Sequence, residues 1–385
     1  MKNQLFLSFV HSYNEVPTYS VRSSGRFELI GNHTDHNGGL CVAASCNLAI
    51  NGYLASRDDD FVNLRSNNYK DISFRLDDLS VEDNEIGTST GLVKGVASYF
   101  VNHGYKIGGF DLMSESSIFK GAGVSSSAAF ESMIAQIFNV LYNDGKITKI
   151  ELAKAGQFAE NNYFGKKSGL LDQTSICFGN ISFMDFKDFD NPKVETLDFP
   201  FDDLGFVIVN SGGSHAKMSG LYSSIPVDMK NAAQKMGKSV LSECSLSDLE
   251  NNKEKMSENE YLRSLHFFKE NERVIKLKDA LKNKDKETFL RMIKESFISS
   301  RDNLKNMMVK DHYFGSPLEA CDYAYKFLGE KGACKINGGG FAGSIIACLP
   351  IMDVYPFMSY MSQRYGIDNV APIIINPLPP EVEKL

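Results

Sequence analysis

Residues Gly121-Ala122-Gly123-Val124-Ser125-Ser126-Ser127 have the composition needed to hold a chain of phosphates. Glycine lets an anion approach the backbone with no Cβ in the way, and the serine hydroxyls add donors and possible metal ligands. Directly after them, Phe130, Met133, Ile134, Ile137, Val140 and Leu141 recur at three- and four-residue spacing, and Asn143-Asp144-Gly145 supplies a stop. That pattern predicts a helix beginning in the serines, with its free N–H groups and positive dipole end facing the glycine loop. A tight turn with an ordinary serine N-cap would use the same residues.

Phosphoryl transfer needs two further parts: a divalent cation and a group that orients the nucleophile. Magnesium takes one or two protein oxygens and completes its shell with water and phosphate. Ser127 at the helix start and Glu160 near the end of the next helix would suffice, although a lone helix glutamate is ordinarily solvated. Asp172 follows the loop Lys166-Lys167-Ser168-Gly169 in an apolar setting of Leu170, Leu171 and Ile176. A carboxylate there calls for a basic partner that offsets its burial and sets its pKa; a solvated loop aspartate is the plain alternative. Arg26 is a candidate partner, but spacing alone cannot bring the two together. Met236-Gly237-Lys238-Ser239 imitates the end of a P-loop. It lacks the leading glycine, since Ala232 stands there, and it reads as helix.

The elements that position these residues follow from pattern. Arg26–Ile30 reads as extended and runs into a polar loop, Gly31–Gly39, before an apolar stretch from Leu40 to Ile50. Thr90–His103 reads as a helix and Phe110–Met113 as a strand feeding the phosphate loop. Thr148 and Glu151 have capping-box spacing for the helix that carries Glu160. Phe206–Val209 is a short buried strand, and residues 222–327 are mainly helical and charged. Gly338-Gly339-Gly340-Phe341-Ala342-Gly343 leads into the strand-like Ser344–Leu349. The proline-rich tail (Pro372, Pro377, Pro379, Pro380) is expected to lie extended on the surface.

The chain has 385 residues and a formal net charge of −7, enough length for two packed lobes and the wrong sign for a general nucleic-acid or anionic-membrane binder. No run of eighteen apolar residues occurs, and Leu5–Val10 is too short for a secretory signal. Seven scattered cysteines fit neither a disulfide framework nor a zinc site, so buried free thiols in the cytoplasm are expected.

Three separated segments resemble the galactokinase branch of the GHMP small-molecule kinases. Gly25-Arg26-Phe27-Glu28-Leu29-Ile30-Gly31-Asn32-His33-Thr34-Asp35-His36-Asn37-Gly38-Gly39 is similar to its N-terminal signature. Gly121–Ala129 is similar to its phosphate loop, and Gly338–Gly343 to its C-terminal glycine motif. Gly169-Leu170-Leu171-Asp172-Gln173 resembles the segment bearing the catalytic aspartate, and the stretch with His266, Glu270, Asn271 and Arg273 is also similar. The resemblance implies a two-lobed α+β fold with the active site in the cleft. Residues 1–195 would form an N-terminal lobe of the ribosomal-S5-like type, and 196–385 a C-terminal α+β lobe. It also implies ATP- and Mg2+-dependent phosphorylation of the anomeric hydroxyl of galactose. Asp172 and Arg26 would be catalytic, and Ser127 and Glu160 would hold the metal. Gly121, Ala122, Gly123, Val124, Ser125, Ser126 and Ser127 would hold the ATP phosphates. Asn32, His33, Asp35, Gly169 and Tyr222 would line the sugar site. Sugar and ATP are the only partners implied. A monomer is expected, and the sequence leaves other oligomeric states open.

Two departures stand out. Asn32 replaces the family's usual glutamate near the sugar's 6-hydroxyl, and Lys166 and Lys167 add positive charge near Asp172. An amide would admit a 6-carboxylate that a glutamate would repel, so galacturonate or another modified galactose is an alternative substrate. Ser211–Ala216, with His215, also differs from the family's more charged segment; His215 is read as a loop cap. A non-catalytic galactose sensor on the same fold is the alternative of another class, and the presence of Glu160 and Asp172 favours the enzyme.

Overall fold

The computed structural model describes residues 2–67, 69–166, 168–212 and 219–385, so Lys167 and His215 lie outside the described residues. The first part of the chain builds α1 (Lys2–Tyr13), β1 (Tyr19–Ile30), β2 (Leu40–Ser56), β3 (Phe61–Ser66) and β4 (Ile72–Arg75). It continues through α2 (Ser89–Asn102), β5 (Phe110–Ser116), α3 (Ser126–Tyr142), α4 (Lys149–Asn162), α5 (Leu171–Phe178), β6 (Ile181–Asp185) and β7 (Lys193–Leu197). The second part contains β8 (Leu204–Asn210), α6 (Ser219–Lys235), α7 (Leu246–Asn251), α8 (Glu258–Asn283) and α9 (Lys286–Ser299). It ends with α10 (Pro317–Leu328), β9 (Ala333–Asn337), β10 (Ser344–Pro350), α11 (Val354–Tyr365), β11 (Val370–Ile373) and β12 (Glu381–Lys384).

Among the described residues, eight strands form one sheet along the path β12-β1-β2-β5-β3-β4, with β6 paired to β2 and to β7. The other sheet has four antiparallel strands in the order β11-β8-β10-β9. This is the mixed α+β, two-lobed arrangement that the resemblance implied. Helices α2 to α5 cover the first sheet through a core that includes Leu92, Phe100, Met133, Phe138 and Leu152. On the second sheet, α10 and α11 pack through Cys321, Ala324, Phe357 and Met361.

A further core joins the two sheets. Phe27, Ile30 and Val42 of the first meet Phe206, Ile208 and Ile346 of the second, with Val274 of α8 and Phe289 of α9 between them. Full burial of each such side chain contributes roughly 1.5–3 kcal/mol, so the two lobes are one cooperative body at this seam.

Local signals explain the elements that carry the site. Thr148 caps α4 by accepting from the Glu151 N–H. The reciprocal half of the expected box is absent, because the Glu151 carboxylate accepts from Tyr99 Oη at 2.8 Å and pairs with Lys154. Strand β1 bulges at Gly25, where the register with β2 shifts between Ser24 and Arg26. A Cβ on Gly25 would sit 2.6 Å from the Val124 carbonyl, so only glycine lets the phosphate loop lie on this strand. There the Arg26 N–H donates to Val124 O at 2.9 Å.

The tail departs from the expected surface course. Residues 374–376 run against the first sheet, with Asn376 N–H donating to Ser45 O at 2.9 Å and Asn180 N–H donating to Asn376 O at 2.8 Å. Asn376 is buried, and its amide donates to Ser24 Oγ at 2.7 Å and Leu378 O at 2.9 Å. Beyond it, β12 pairs antiparallel with β1 from Tyr19↔Lys384 to Arg22↔Glu381. Prolines suit this course, because an extended connector between strands needs few N–H donors. Asn376→Ala should therefore lower unfolding stability by about 1–3 kcal/mol through its orphaned partners, measured by urea denaturation.

Candidate active site

The residues singled out for chemistry converge at the edge of this seam. Arg26, on β1, forms a bidentate pair with Asp172 in the first turn of α5: Nε to Oδ1 is 2.7 Å and Nη2 to Oδ2 is 2.8 Å. The third arm, Nη1, donates to the Gly123 carbonyl at 2.8 Å. Ser125 Oγ donates to Asp172 Oδ2. Burial acts to raise the Asp172 pKa, but the Arg26 charge and hydrogen bonds, with Lys166 and Ser125, outweigh it and hold the carboxyl below its usual range.

Ser125 precedes α3 with left-handed backbone (φ 56°) and makes no side-chain cap. That removes the ordinary N-cap reading, since its hydroxyl serves Asp172 instead. The first intrahelical bond runs from Ala129 N–H to Ser125 O, so the amides ahead of it face out of the helix end toward the loop. Asn337 at the end of β9 also pins this loop, donating to Gly123 O at 2.9 Å. Met236–Ser239, by contrast, follows the C-terminal end of α6, where the dipole is negative and repels phosphate.

Ser127 Oγ lies 3.0 Å from Glu160 Oε1. Glu160 is buried, and the Lys166 ammonium approaches the same oxygen at 2.7 Å. A buried carboxylate oxygen already facing a cation and a hydroxyl is a donor set that fits magnesium, which needs few protein ligands. Among the described residues, no group of three or more His, Cys, Asp or Glu converges as a denser metal site would. Behind Glu160, the Gln173 amide donates to Glu160 Oε2 at 3.1 Å and to Glu131 Oε2 at 3.0 Å. Glu131 is fully buried, and burial together with the nearby Glu160 charge raises its pKa well above the carboxylate range.

Asp35 lies across from Asp172. Burial first, and then the charge of Asp172, raise its pKa to about 6. Gly169 passes directly over it: a Cβ there would come within 1.8 Å of Asp35 Oδ2. The His33 contact with the Gly339 carbonyl (2.7 Å) requires a proton on Nε2, which leaves Nδ1 to accept from His36 Nε2 at 3.3 Å. Burial lowers the His33 pKa to about 3 and that of His36 to about 4, so both rings are neutral at physiological pH. Tyr222 Oη donates to Gly340 O at 2.6 Å. The 338–343 glycine motif thus rests on His33 from one lobe and Tyr222 from the other.

Among curated relatives, the galactokinase of Clostridium tetani is 31% identical over 376 residues, spanning 94% of this chain and 92% of that protein. The chain belongs to the galactokinase family. Residues 7–55 match the family profile described as the galactokinase galactose-binding signature, and residues 91–180 match that of the GHMP kinases N terminal domain. The crystal structure of Lactococcus lactis galactokinase complexed with galactose superposes with a TM-score of 0.87 at 25% identity, covering 100% of both chains. The mevalonate kinase of Methanococcus jannaschii shares the fold, with a TM-score of 0.64 at 16% identity and coverage of 96% of this chain and 98% of that one.

Within this galactokinase frame, the Asn32 side chain is taken up by protein partners. Its Nδ2 donates to Glu28 Oε2 at 3.0 Å and to Gly338 O at 2.8 Å, and its Oδ1 accepts from Asn306 Nδ2 at 2.7 Å. Both amide hydrogens are therefore spent on protein, and the side chain is an inter-lobe contact rather than a free group facing the cleft. Glu28 in turn pairs with the fully buried Lys335 of β9 at 2.7 Å. Sequence reading gave no role to Glu28, Lys335, Asn306, Asn337, Glu131 or Gln173. The usable signal was a charge inside each of two apolar strands, Glu28 and Lys335, because a buried charge requires a partner.

The motif in α8 supports the signature loop. His266 Nε2 donates to Asn32 O at 2.9 Å, Gly31 N–H donates to Glu270 Oε1 at 3.1 Å, and Leu40 N–H donates to Asn271 Oδ1 at 2.8 Å. Burial acts to raise the Glu270 pKa, but Arg273 and His266 outweigh it and bring it to about 2. Asn32→Glu would press a second carboxylate against Glu28, so it should cost about 3 kcal/mol or more in denaturant melts. Adding Glu28→Asn to that variant should recover much of the loss.

Proposed function

We propose that this protein transfers the terminal phosphoryl group of ATP to the anomeric hydroxyl of galactose, giving galactose 1-phosphate and ADP. The observation that carries this reading is the bidentate Arg26–Asp172 pair, tied through Ser125 and Gly123 to the mouth of the glycine-serine loop. The curated galactokinases and the galactose-complexed homologue support it.

Gly121–Ser127 and the first amides of α3 hold the phosphates. Ser127 and Glu160 hold the divalent cation, which when bound neutralises phosphate charge. The sugar's C1 oxygen bonds to the terminal phosphorus while the bond from that phosphorus to the bridging oxygen breaks, and the electron pair leaves with ADP. Asp172 accepts the hydrogen bond of the C1 hydroxyl and aims its lone pair. Because Arg26 holds Asp172 below the usual carboxylate range, the aspartate takes the proton only late, as the new bond forms. Arg26 keeps that carboxylate ionised and offsets charge in the transition state.

Asp35 accepts from paired ring hydroxyls in the space that Gly169 leaves open, and Tyr222 closes the opposite side. His33 and Asn32 set the shape of the sugar site through the protein contacts they make. With its amide spent, Asn32 has no donor left for a 6-carboxylate. These contacts favour galactose over galacturonate.

A coupled ADP assay across galactose, galacturonate and N-acetylgalactosamine tests the reading: galactose should be turned over fastest, and no ADP release with any of them would refute it. Asp172→Asn should lower kcat by about a thousandfold or more while nucleotide binding persists, and full activity in that variant would mean the base is misassigned. Galactose affinity should also strengthen as pH rises through about 6, where Asp35 becomes an ionised acceptor. Asp35→Asn should flatten that profile in calorimetric titrations. For the unliganded fold the sign is opposite: a raised carboxyl pKa means the Asp35 contribution to stability falls between the ordinary 3.8 and about 6.

A further inference from the structure

Lys166 is the cation that the proposed reaction has not used. Its ammonium lies 2.7 Å from Glu160 Oε1, the oxygen that also accepts from Ser127 at 3.0 Å. Glu160 is 1% exposed at its side chain, whereas Lys166 is 55% exposed, so one partner is fixed and the other is free to turn. The fixed partner is held from behind by Gln173, itself bonded to Glu131. Lys166 also favours the ionised form of Asp172.

Resting on the reading above, we propose that Lys166 occupies the cation position of the metal site until a divalent cation takes Glu160, and then contacts the phosphoryl group in transfer. One carboxylate oxygen cannot serve an ammonium and a divalent ion at close range, because their like charges repel across a poorly hydrated gap. The backbone of Lys166 stays anchored, since its N–H donates to the Glu160 carbonyl at 3.0 Å at the end of α4. Only the exposed side chain needs to move. Once displaced, the ammonium meets the incoming phosphate oxygens, where a compact point charge stabilises a loose, anionic transition state. In the metal-free protein the same ammonium offsets Glu160 beside the buried Glu131, which would otherwise be two carboxylates sharing one amide.

The test compares wild type with Lys166→Met and Lys166→Arg in the full chain. Mn2+ is titrated by electron paramagnetic resonance without nucleotide or sugar, and turnover is measured with ATP, Mg2+ and galactose. Lys166→Met should bind Mn2+ about tenfold more tightly, because a competing like charge is gone. Its kcat should fall about 10- to 100-fold with KM for galactose unchanged, and Lys166→Arg should restore part of that loss. Thermal melts verify that the variants fold. Equal or weaker Mn2+ binding by Lys166→Met would overturn the displacement, and unchanged kcat would overturn the phosphate contact. A wild type that releases no ADP would refute the proposed reaction instead, while the Mn2+ comparison would still decide for or against Lys166 at the cation position.

Discussion

The Arg26 guanidinium spends its planar fork on two segments that are far from it and from each other in sequence: two arms on Asp172 and one on the Gly123 carbonyl. A buried pair of this kind persists only when its geometry is good and its remaining polar groups are satisfied, because desolvation otherwise exceeds the attraction. Both conditions are met, since Ser125 takes a further lone pair of the carboxylate and Gly123 takes the third arm. The bulge at Gly25 is what allows the loop to come this close. A single side chain therefore fixes the distance between the phosphate loop and the aspartate, and neither can shift without the other.

A second layer keeps Arg26 itself in place. Glu28, two residues on, is locked to Lys335 of the other sheet, and Asn337 of the same strand donates to the loop carbonyl that Arg26 uses. Asn32 and Asn306 continue this polar seam to the glycine motif, while Phe27, Phe206 and Phe289 fill it beneath. The wide π-type turn at Ser300–Leu304 is what delivers Asn306 to it, a local irregularity of the kind that gathers near functional sites. With polar contacts above and an apolar core below, the lobes cannot separate as rigid halves.

Sequence pattern carried some of this and not the rest. The 3.6-residue rhythm of α3, the threonine cap of α4 and the glycine-serine loop are local features, and each appears where pattern put it. Arg26 and Asp172 were nominated by residue type, but they stand 146 positions apart, and only tertiary packing brings them together. Asn32 was assigned through the family resemblance, and its amide partners Gly338 and Asn306 lie far along the chain, beyond the reach of local pattern. Lys335 and Glu28 each announced that a partner must exist, without naming it. The tail was misjudged because proline content reports backbone stiffness and says nothing about which surface will receive the segment.

The pairing of β12 with β1 joins opposite ends of the sequence. During vectorial synthesis on the ribosome, β1 leaves the exit tunnel long before the strand that will cover its outer border. Until then, the backbone groups of Tyr19–Arg22 on that side form an open template that could recruit another nascent chain. A pairing between such distant segments forms slowly, because loop-closure entropy must be met before the contact is made. The first-made sheet is thus finished last, by the strand made last.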